Sequence, residues 1–444
     1  MSKRSLTVSI AAAVLGLMTL VIVMTTPAGA VVFNMGGPGS PAGVDMNTAS
    51  ALFVSGHDGA ASLIAQIGAV APGGDIFSDM GVPSISPEGD VLFGAETIGL
   101  DQRPRWDVYR AKVKAPGDQR IVRVLDGATM TDDCHPNFKT DPYPVAGPDG
   151  SVVFLAPEES GKDAVFRYQN GHLSCAARLG DRTAEGHTLK LLYFGSADIA
   201  SDGTMAFLGR VANSEVGSDE KAVVITIDDH SAMHEIAREG DAAPGGGHFE
   251  PSFGRPAIVH SRGGDLIAFS NRNAKVADFY IGNGRHLTRC FGIGSSTRLG
   301  ALTYISDGKP ALLADGTVIF TGASHQKSAV FKAKDGELTM LTAEGAMTQF
   351  GTRLGAFVDP SVSGAGLVYL AGHDDRGAEH LFIFESSNGL SIPLESRADV
   401  SSMGRWMPAF FPGSLAVNTE GDIATLGAAP DSDPARTRTI RFEW

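Results

Sequence analysis

The chain has 444 residues, 55 glycines, 7% aromatic residues and a formal net charge of −14 at pH 7. An acidic balance of this size argues against nucleic acids and anionic membranes as partners. Abundant glycine with few aromatic and charged residues is typical of a protein built from many short strands and turns.

The first thirty residues have the pattern of a signal peptide. Lys3 and Arg4 give a positive start, Leu6–Met24 is apolar, and residues 28–30 (Ala-Gly-Ala) form a small-residue cleavage site. We therefore expect a secreted, periplasmic or cell-surface protein with no membrane span after cleavage. Because an apolar run of about 19 residues can also cross a bilayer, an uncleaved anchor is the alternative. Residues 31–50 would then form an extended segment before the folded domain.

A polar-glycine turn followed by an apolar strand recurs seven times. The turn glycines lie about 50 to 61 residues apart, which is the period of a four-stranded propeller blade with one generous loop. Two further strands follow most copies, and the mature chain shows no sustained helical period, so an all-β class is predicted. The copies are SPEGDVLF (86–93), GPDGSVVF (147–154), ASDGTMAF (200–207), HSRGGDLIAF (260–269), LADGTVIF (313–320), SGAGLVYL (363–370) and NTEGDIATL (418–426).

We call the four strands of each blade a, b, c and d, with a before the glycine turn and b after it. Residues 51–54 and 62–67 resemble strands c and d without their a and b, whereas the carboxyl end supplies a, b and one c-like strand. One blade built from both chain ends would close the ring and protect the sheet edges. We predict seven blades in one monomeric domain, residues 51–444, with eight blades as the alternative.

The repeated turn and strand resemble an exported bacterial family of tandem NxxGxxxAF-repeat proteins with assorted carboxyl-terminal anchors. Residues 240–246 (Gly-Asp-Ala-Ala-Pro-Gly-Gly) match a second motif of that family, and residues 71–74 (Ala-Pro-Gly-Gly) are similar to it. Asn418 alone keeps the leading asparagine of the repeat. The resemblance implies a surface or extracellular propeller-like protein of unassigned function, and it transfers no catalytic residue.

In such a blade the d–a and b–c connections lie on one face, and here they are the long ones. We therefore predict that this loop-rich face binds the ligand. The d–a connections are residues 126–141, 240–255, 343–359 and 396–411, and the b–c connections are residues 96–105, 209–221 and 372–379.

Two pairs of arginine and tryptophan occur in these predicted loops. Arg103, Arg105 and Trp106 belong to the first full repeat, and Arg405 and Trp406 belong to the last. Ring closure would make these repeats neighbours and place both tryptophans on one rim. Aromatic faces beside guanidinium groups suit sugar rings or carboxylate-bearing ligands. The alternative is that each tryptophan packs beneath its own loop.

Asp132, Asp133 and His135 form the densest titratable cluster of the sequence. They could be acid/base groups or hold a hard metal such as calcium, although a polar loop with an Asx turn is the preferred interpretation. No cofactor is otherwise predicted. Cys134 and Cys175 lie in successive repeats, which favours pairing these two of the three cysteines.

The leading hypothesis is an exported binding module for a glycan, a peptide or a protein partner. It rests on the predicted export, the propeller ring and the absence of nucleophile-elbow, phosphate-loop and zinc-protease motifs. An extracellular polysaccharide hydrolase or lyase and a purely structural surface protein are the alternatives.

Overall fold

The structure is a computed structural model, and its described residues form strands and turns without a helix. Within the described ranges no helix is long and apolar enough to cross a membrane. The prediction of an all-β chain is confirmed for these residues. They are 20–26, 29–35, 51–55, 60–113, 119–125, 134–147, 150–213, 219–228, 231–273, 277–283, 286–306, 308–325, 327–347, 351, 353–357, 359–363, 366–376, 379–385, 394–395, 397–398, 407–408, 415–418, 423–428 and 439–443.

The amino-terminal strands form two hairpins. Strands β1 (Leu20–Thr26) and β2 (Gly29–Met35) pair with each other, and this hairpin includes Gly29 and Ala30 of the predicted cleavage site. Strands β3 (Ala51–Ser55) and β4 (Ala60–Gln66) form the second hairpin, which joins the last sheet of the chain.

Sheets 1 to 6 follow one another along the chain. Sheet 1 contains β5 (Ile76–Met80), β6 (Ser84–Ile85), β7 (Val91–Ile98), β8 (Pro104–Val113) and β9 (Gln119–Leu125). Sheet 2 contains β10 (Val145–Ala146), β11 (Val152–Pro157), β12 (Asp163–Gln169) and β13 (His172–Arg178). Sheet 3 contains β14 (Thr188–Leu192), β15 (Asp198–Ile199), β16 (Met205–Ala212), β17 (Lys221–Ile227) and β18 (Met233–Arg238).

Sheet 4 contains β19 (Ser252–Phe253), β20 (Ala257–Ser261), β21 (Gly264–Arg272), β22 (Ala277–Gly282) and β23 (Leu287–Gly292). Sheet 5 contains β24 (Ser296–Thr297), β25 (Gly300–Ile305), β26 (Ala311–Leu312), β27 (Val318–Ser324), β28 (Lys327–Lys334) and β29 (Glu337–Ala343). Sheet 6 contains β30 (Leu354–Phe357), β31 (Ser361–Val362), β32 (Leu367–Asp374), β33 (Glu379–Glu385) and β34 (Leu394–Glu395).

Sheet 7 combines both ends of the chain. Its late strands are β35 (Arg397–Ala398), β36 (Met407–Pro408), β37 (Leu415–Val417), β38 (Ile423–Ala428) and β39 (Thr439–Glu443). Strand β3 pairs with β38, so that Ala51 lies opposite Gly427, and β4 pairs with β39 on its other side. The first and last described strands of the repeat region therefore share one antiparallel sheet.

The innermost strand of each sheet is short and touches the innermost strands of its two neighbours. These contacts run from β6 through β10, β15, β20, β26, β31 and β37 and then return to β6. The inner piece of strand a is thus the strand through which each of these sheets contacts its neighbours.

Neighbouring sheets pack face to face through one repeated aromatic position on strand b. Phe93, Phe154, Phe207, Phe269 and Phe320 are each at most 3% exposed and lie in the apolar clusters between successive sheets. Burying a large apolar side chain stabilises the fold by about 1.5–3 kcal/mol. This contact explains why the repeat ends in an apolar strand with phenylalanine.

The predicted long loops are shorter in the structure and partly made of strand. In the first repeat the b–c connection is only residues 99–103, because β7 extends to Ile98 and β8 begins at Pro104. The predicted d–a loops 240–255, 343–359 and 396–411 contain β19, β30 and β36 respectively. These strands pair with the end of strand b that lies away from the glycine turn. Strand a therefore consists of an outer and an inner piece, separated by a kink.

Candidate functional site

The kink in strand a recurs with a proline. Pro83, Pro144, Pro256, Pro310 and Pro360 lie between the two pieces of strand a, or just before its inner piece. Proline has no backbone N–H for the ladder, so the strand breaks there, and it disfavours a right-handed helical conformation in the preceding residue. All five preceding residues line the cavity at the centre of the sheets: Val82, Tyr143, Arg255, Lys309 and Asp359.

That central cavity has a volume of about 320 Å³ and is walled by the inner strands of all seven sheets. Lys309 Nζ lies 2.7 Å from Asp198 Oδ1 in it, and Asp198 Oδ2 accepts a hydrogen bond from the Ile258 backbone N–H at 2.9 Å. The Asp198 carboxylate therefore joins three successive sheets, and the charge of Lys309 is neutralised.

A larger cavity of about 700 Å³ adjoins the central one on the b–c side of sheets 3 to 6, and Arg255 and Asp359 line both. Its wall carries the half-exposed aromatic side chains Tyr193 and Phe194 (both 38% exposed) and Tyr304 (44% exposed). The other aromatic and hydroxyl-bearing residues of its lining are Phe253, Phe357, Ser196, Ser252, Ser306, Thr321 and Ser328. We name this space the mouth cavity.

Asp359 is fixed at the mouth cavity by hydroxyl groups of the preceding sheet. Its Oδ1 accepts hydrogen bonds from Ser306 Oγ at 3.1 Å and Thr321 Oγ1 at 2.9 Å. Gly308 lies so close to this carboxyl that a Cβ there would clash with it. The acid is consequently held in one position by its neighbours.

Asp141 occupies the corresponding place between sheets 1 and 2. Its two oxygens accept the backbone N–H groups of Val82 at 3.2 Å and Tyr143 at 2.9 Å, and Gly81 and Gly94 leave room for the carboxyl. Burial raises the pKa of Asp141 to about 6, despite these hydrogen bonds. Tyr143 has φ 47°, a left-handed conformation that bulky residues rarely adopt. Asp141 therefore stabilises the strained backbone of Tyr143 beside the central cavity.

Arg255 is half-buried between the buried residues Gly254 and Pro256. Among the described residues its guanidinium has neither a hydrogen-bond acceptor nor an ion-pair partner, in contrast to Lys309. Burial is the main cause of the raised pKa of Tyr143, and the positive charge of Arg255 opposes that rise. The Arg255 guanidinium at the mouth cavity therefore has N–H donors that no described residue accepts.

Arg103, Arg105 and Trp106 lie at the first blade's b–c turn, away from the mouth cavity lining. Arg105 and Trp106 belong to strand β8 rather than to a loop, which corrects the sequence prediction. Arg105 is exposed and lies 3.4 Å from Asp101 Oδ1 and 3.9 Å from Asp75 Oδ2. Trp106 is half-buried and packs against the apolar cluster between sheets 1 and 2.

Arg405, Trp406, Asp132 and Asp133 lie outside the described residues, so their predicted roles stay predictions. His135 is described and half-buried, and its Nδ1 has no hydrogen-bond partner within the described part of the chain. Cys134 and Cys175 form a disulfide with Cα atoms 6.3 Å apart, and Cys290 is a free thiol.

One exposed group at the opposite end of the sheets has the residue types of a cation site. His260 Nδ1 lies 2.8 Å from Asp265 Oδ1 and 3.2 Å from Asp202 Oδ2. The hydrogen bond that His260 donates to the Asp265 carboxylate raises the pKa of His260, with the Asp202 charge acting in the same direction. These contacts are those of a surface ion pair, which such groups form without a metal.

The sequence interpretation missed the mouth cavity because it searched the turns for clusters of charge. The available signal was the recurring proline, which occurs in five repeats and is preceded by a different residue in each of them. Arg255-Pro256, Lys309-Pro310 and Asp359-Pro360 follow strands at the repeat period. A fixed proline beside a variable polar residue indicates a constant backbone that presents changing side chains.

The fold and this site define an all-β protein of packed antiparallel sheets with a central, side-chain-lined channel. The chain belongs to a family of unknown function (DUF7453), whose profile matches residues 26–377. No curated protein matches the sequence.

Several solved structures are similar in fold. A puromycin-hydrolysing peptidase of Mycobacterium tuberculosis is 13% identical over 76% of this chain and 48% of its own, with a TM-score of 0.46. TolB of Acinetobacter baumannii is 13% identical over 72% of this chain and 63% of its own, with a TM-score of 0.36. The Aleuria aurantia lectin, a six-bladed β-propeller, is 10% identical over 71% of this chain and 95% of its own, with a TM-score of 0.33.

The chain therefore spans about half the length of the peptidase and less than two thirds of TolB.

Proposed function

We propose that the protein is an exported, seven-bladed β-propeller that binds a saccharide in the mouth cavity. Seven blades and ring closure are supported by the cycle of contacts among the inner strands and by the pairing of β3 with β38. Export is supported by the signal-like first thirty residues and by the repeat motifs. A secreted, periplasmic or cell-surface location follows from export.

The observation that carries the binding proposal is the composition of the mouth cavity wall. Tyr193, Phe194 and Tyr304 expose aromatic surface to a space of about 700 Å³, which lies within the range of small-molecule sites. Aromatic side chains combine a large apolar surface with, in tyrosine, a hydroxyl group. The hydroxyls of Ser306 and Thr321 add polar groups at the same wall. Apolar ring faces with interspersed hydroxyls suit a sugar, which has both kinds of surface.

The same wall favours binding over hydrolysis. Glycosidases generally use two carboxyl groups, one on either side of the scissile bond. Asp359 is the sole carboxyl among the described residues that line the mouth cavity, and its Oδ1 already accepts two hydroxyl hydrogen bonds. We therefore place a binding module ahead of a hydrolase or lyase, and ahead of a purely structural surface protein.

The test is a glycan array followed by calorimetry on the hits, with Tyr304 as the probe of the cavity. Tyr304→Ala removes the aromatic ring and is expected to weaken binding at least about tenfold, whereas Tyr304→Phe keeps the ring and is expected to retain most affinity. Both variants should unfold at the temperature of the parent, because Tyr304 is 44% exposed. Undiminished binding by a folded Tyr304→Ala protein would exclude this cavity.

Turnover is measured on the same hits through new reducing ends and through the absorbance of unsaturated products. Cleavage would replace the binding proposal with the hydrolase or lyase. If no saccharide, peptide or protein partner is retained at all, the structural alternative takes its place.

A further inference from the structure

We propose that the saccharide carries one carboxylate, as in a hexuronate unit, and that Arg255 binds it. This inference rests on the proposed function, since it uses the mouth cavity as the saccharide site. It assigns to Arg255 the role of selecting acidic over neutral sugars.

The backbone around Arg255 holds the side chain at the junction of the two cavities. The N–H of Gly254 donates to the Ser270 carbonyl oxygen at 2.8 Å, and Pro256 restricts Arg255 to an extended conformation. Both flanking residues are buried, and the Arg255 side chain lines the central cavity and the mouth cavity. The guanidinium is therefore presented by a rigid segment rather than by a mobile loop.

The other charged groups of the two cavities already have partners. Lys309 is paired with Asp198 at 2.7 Å, and Asp359 accepts the hydroxyls of Ser306 and Thr321. Arg255 alone among these four charged residues makes no ion pair or hydrogen bond with the described residues. A half-buried guanidinium has lost part of its hydration, which an anionic ligand can replace.

The ligand that satisfies this group is a carboxylate on a ring. Arginine presents a planar fork of N–H donors that fits a carboxylate with two parallel hydrogen bonds. The adjacent aromatic wall, with Tyr304 and Phe253, provides the surface for the ring itself. A hexuronate joins the two features in one unit.

The overall charge limits how many carboxylates the ligand can carry. The chain has a formal net charge of −14, which repels long polyanions at moderate salt. One available guanidinium matches one carboxylate. We therefore expect a short saccharide with a single uronate rather than a polyuronate chain.

The experiment compares two disaccharides that differ only in the acid group. Glucuronosyl-glucose and its neutral counterpart, cellobiose, are titrated against the full-length protein by calorimetry at neutral pH. We expect the acidic disaccharide to bind about 10- to 100-fold more tightly, the range of one charged hydrogen-bonded pair. Arg255→Gln should abolish this preference, so that the variant binds the acidic and the neutral disaccharide with similar affinity.

Arg105→Gln is the matched control, because it makes the same change at an exposed arginine outside the cavity. This variant should still bind the acidic disaccharide more tightly than the neutral one. Loss of that preference would place the binding site at Arg103, Arg105 and Trp106 instead of the mouth cavity. Equal binding of both disaccharides by the parent protein would overturn the uronate inference while leaving the saccharide proposal intact. Binding of neither, together with an empty glycan array, would reject the proposed function itself.

A peptide with a free terminal carboxylate and its amidated form are titrated in parallel. If the free peptide binds more tightly than the acidic disaccharide and loses its affinity in Arg255→Gln, Arg255 selects a peptide terminus and the saccharide assignment is wrong.

Discussion

Asn418 Nδ2 donates a hydrogen bond to the carbonyl oxygen of Ser86 at 3.3 Å, across 332 residues of sequence. A second contact reaches the Pro87 carbonyl oxygen at 3.4 Å. Asn418 is 5% exposed and joins the glycine turn of sheet 7 to that of sheet 1. The single asparagine retained from the repeat motif thus lies where the two ends of the repeat region meet.

Asn418→Ala should destabilise the protein by about 1 kcal/mol, because it removes the side-chain hydrogen bonds that join the turns of sheets 7 and 1. Urea unfolding measures the change. Thr204→Ala is the control: its hydroxyl makes an exposed hydrogen bond within one turn, so we expect a change within about 0.5 kcal/mol. Equal stability of the Asn418 variant and the parent would show that this contact does not hold the sheets together.

Asp141 should make stability fall as pH rises from about 4 to about 6. Its pKa is raised from 3.8 to about 6, chiefly by burial, so the folded state binds the proton more tightly than the unfolded chain. The stabilisation is therefore complete below about pH 4 and lost above about pH 6, a difference of about 3 kcal/mol. Urea unfolding is measured at several pH values across this range. The free energy of unfolding should fall less steeply with pH in Asp141→Asn than in the parent protein. Burial also raises the pKa of Asp79, so part of the pH dependence should remain in this variant. An unchanged slope would contradict this account.

Substitutions at Gly245 and Gly246 distinguish a steric clash from backbone strain in the motif of residues 240–246. Both have positive φ, at 90° and 103°, but a Cβ at Gly245 would lie 2.9 Å from Arg289 Cδ, whereas nothing lies within 4 Å at Gly246. Gly245→Ala should therefore cost about 1 kcal/mol or more beyond Gly246→Ala, which carries the backbone strain alone. Arg289 is bound to Asp278 at 2.7 Å and has limited freedom to move. Thermal unfolding of both variants measures the difference in their stability. Equal unfolding midpoints would show that the Arg289 side chain moves away from the new methyl group.

Removing the disulfide should destabilise the oxidised protein substantially. Cys134 and Cys175 are separated by 41 positions, and a loop of this length corresponds to about 4 kcal/mol in the chain-entropy treatment. Cys134→Ser should lower the unfolding midpoint to that of the parent protein in reducing agent. Cys290→Ser, which removes the free thiol, is the control and should leave the midpoint nearly unchanged. If reducing agent has no effect on the parent, the bridge does not contribute.

Trp106→Ala should lower stability more than it changes ligand binding. The ring packs on the cluster that contains Phe154 and Cys134, and truncating a large aromatic side chain there costs about 2–4 kcal/mol. Calorimetry with the best saccharide, performed on the folded fraction, measures the affinity. A large loss of affinity without destabilisation would instead support the predicted rim site of Arg103, Arg105 and Trp106.

The strand pattern was predictable from sequence because it depends on local periodicity. The turn glycines and the following apolar strands, such as the one ending in Phe207, fix strand b and its neighbours. The two-piece strand a was missed, since β6 and β10 have only two residues each and their pairing depends on the adjoining strand b. The predicted loops were too long for the same reason.

The candidate site was less predictable because its residues come from separate repeats. Tyr193, Arg255 and Tyr304 lie in three different sheets and come together only when the sheets pack around the centre. No local spacing relates them. The mouth cavity lies on the b–c side of the sheets, and of the residues chosen from the sequence the described Arg103, Arg105 and Trp106 do not line it.

The pairing of Ala51 with Gly427 also bears on the order of events during synthesis. Strand β3 emerges from the ribosome long before β38 exists, so its hydrogen-bonding edge stays vacant while most of the polypeptide is made. The seventh sheet can therefore form only after nearly the whole polypeptide has been made.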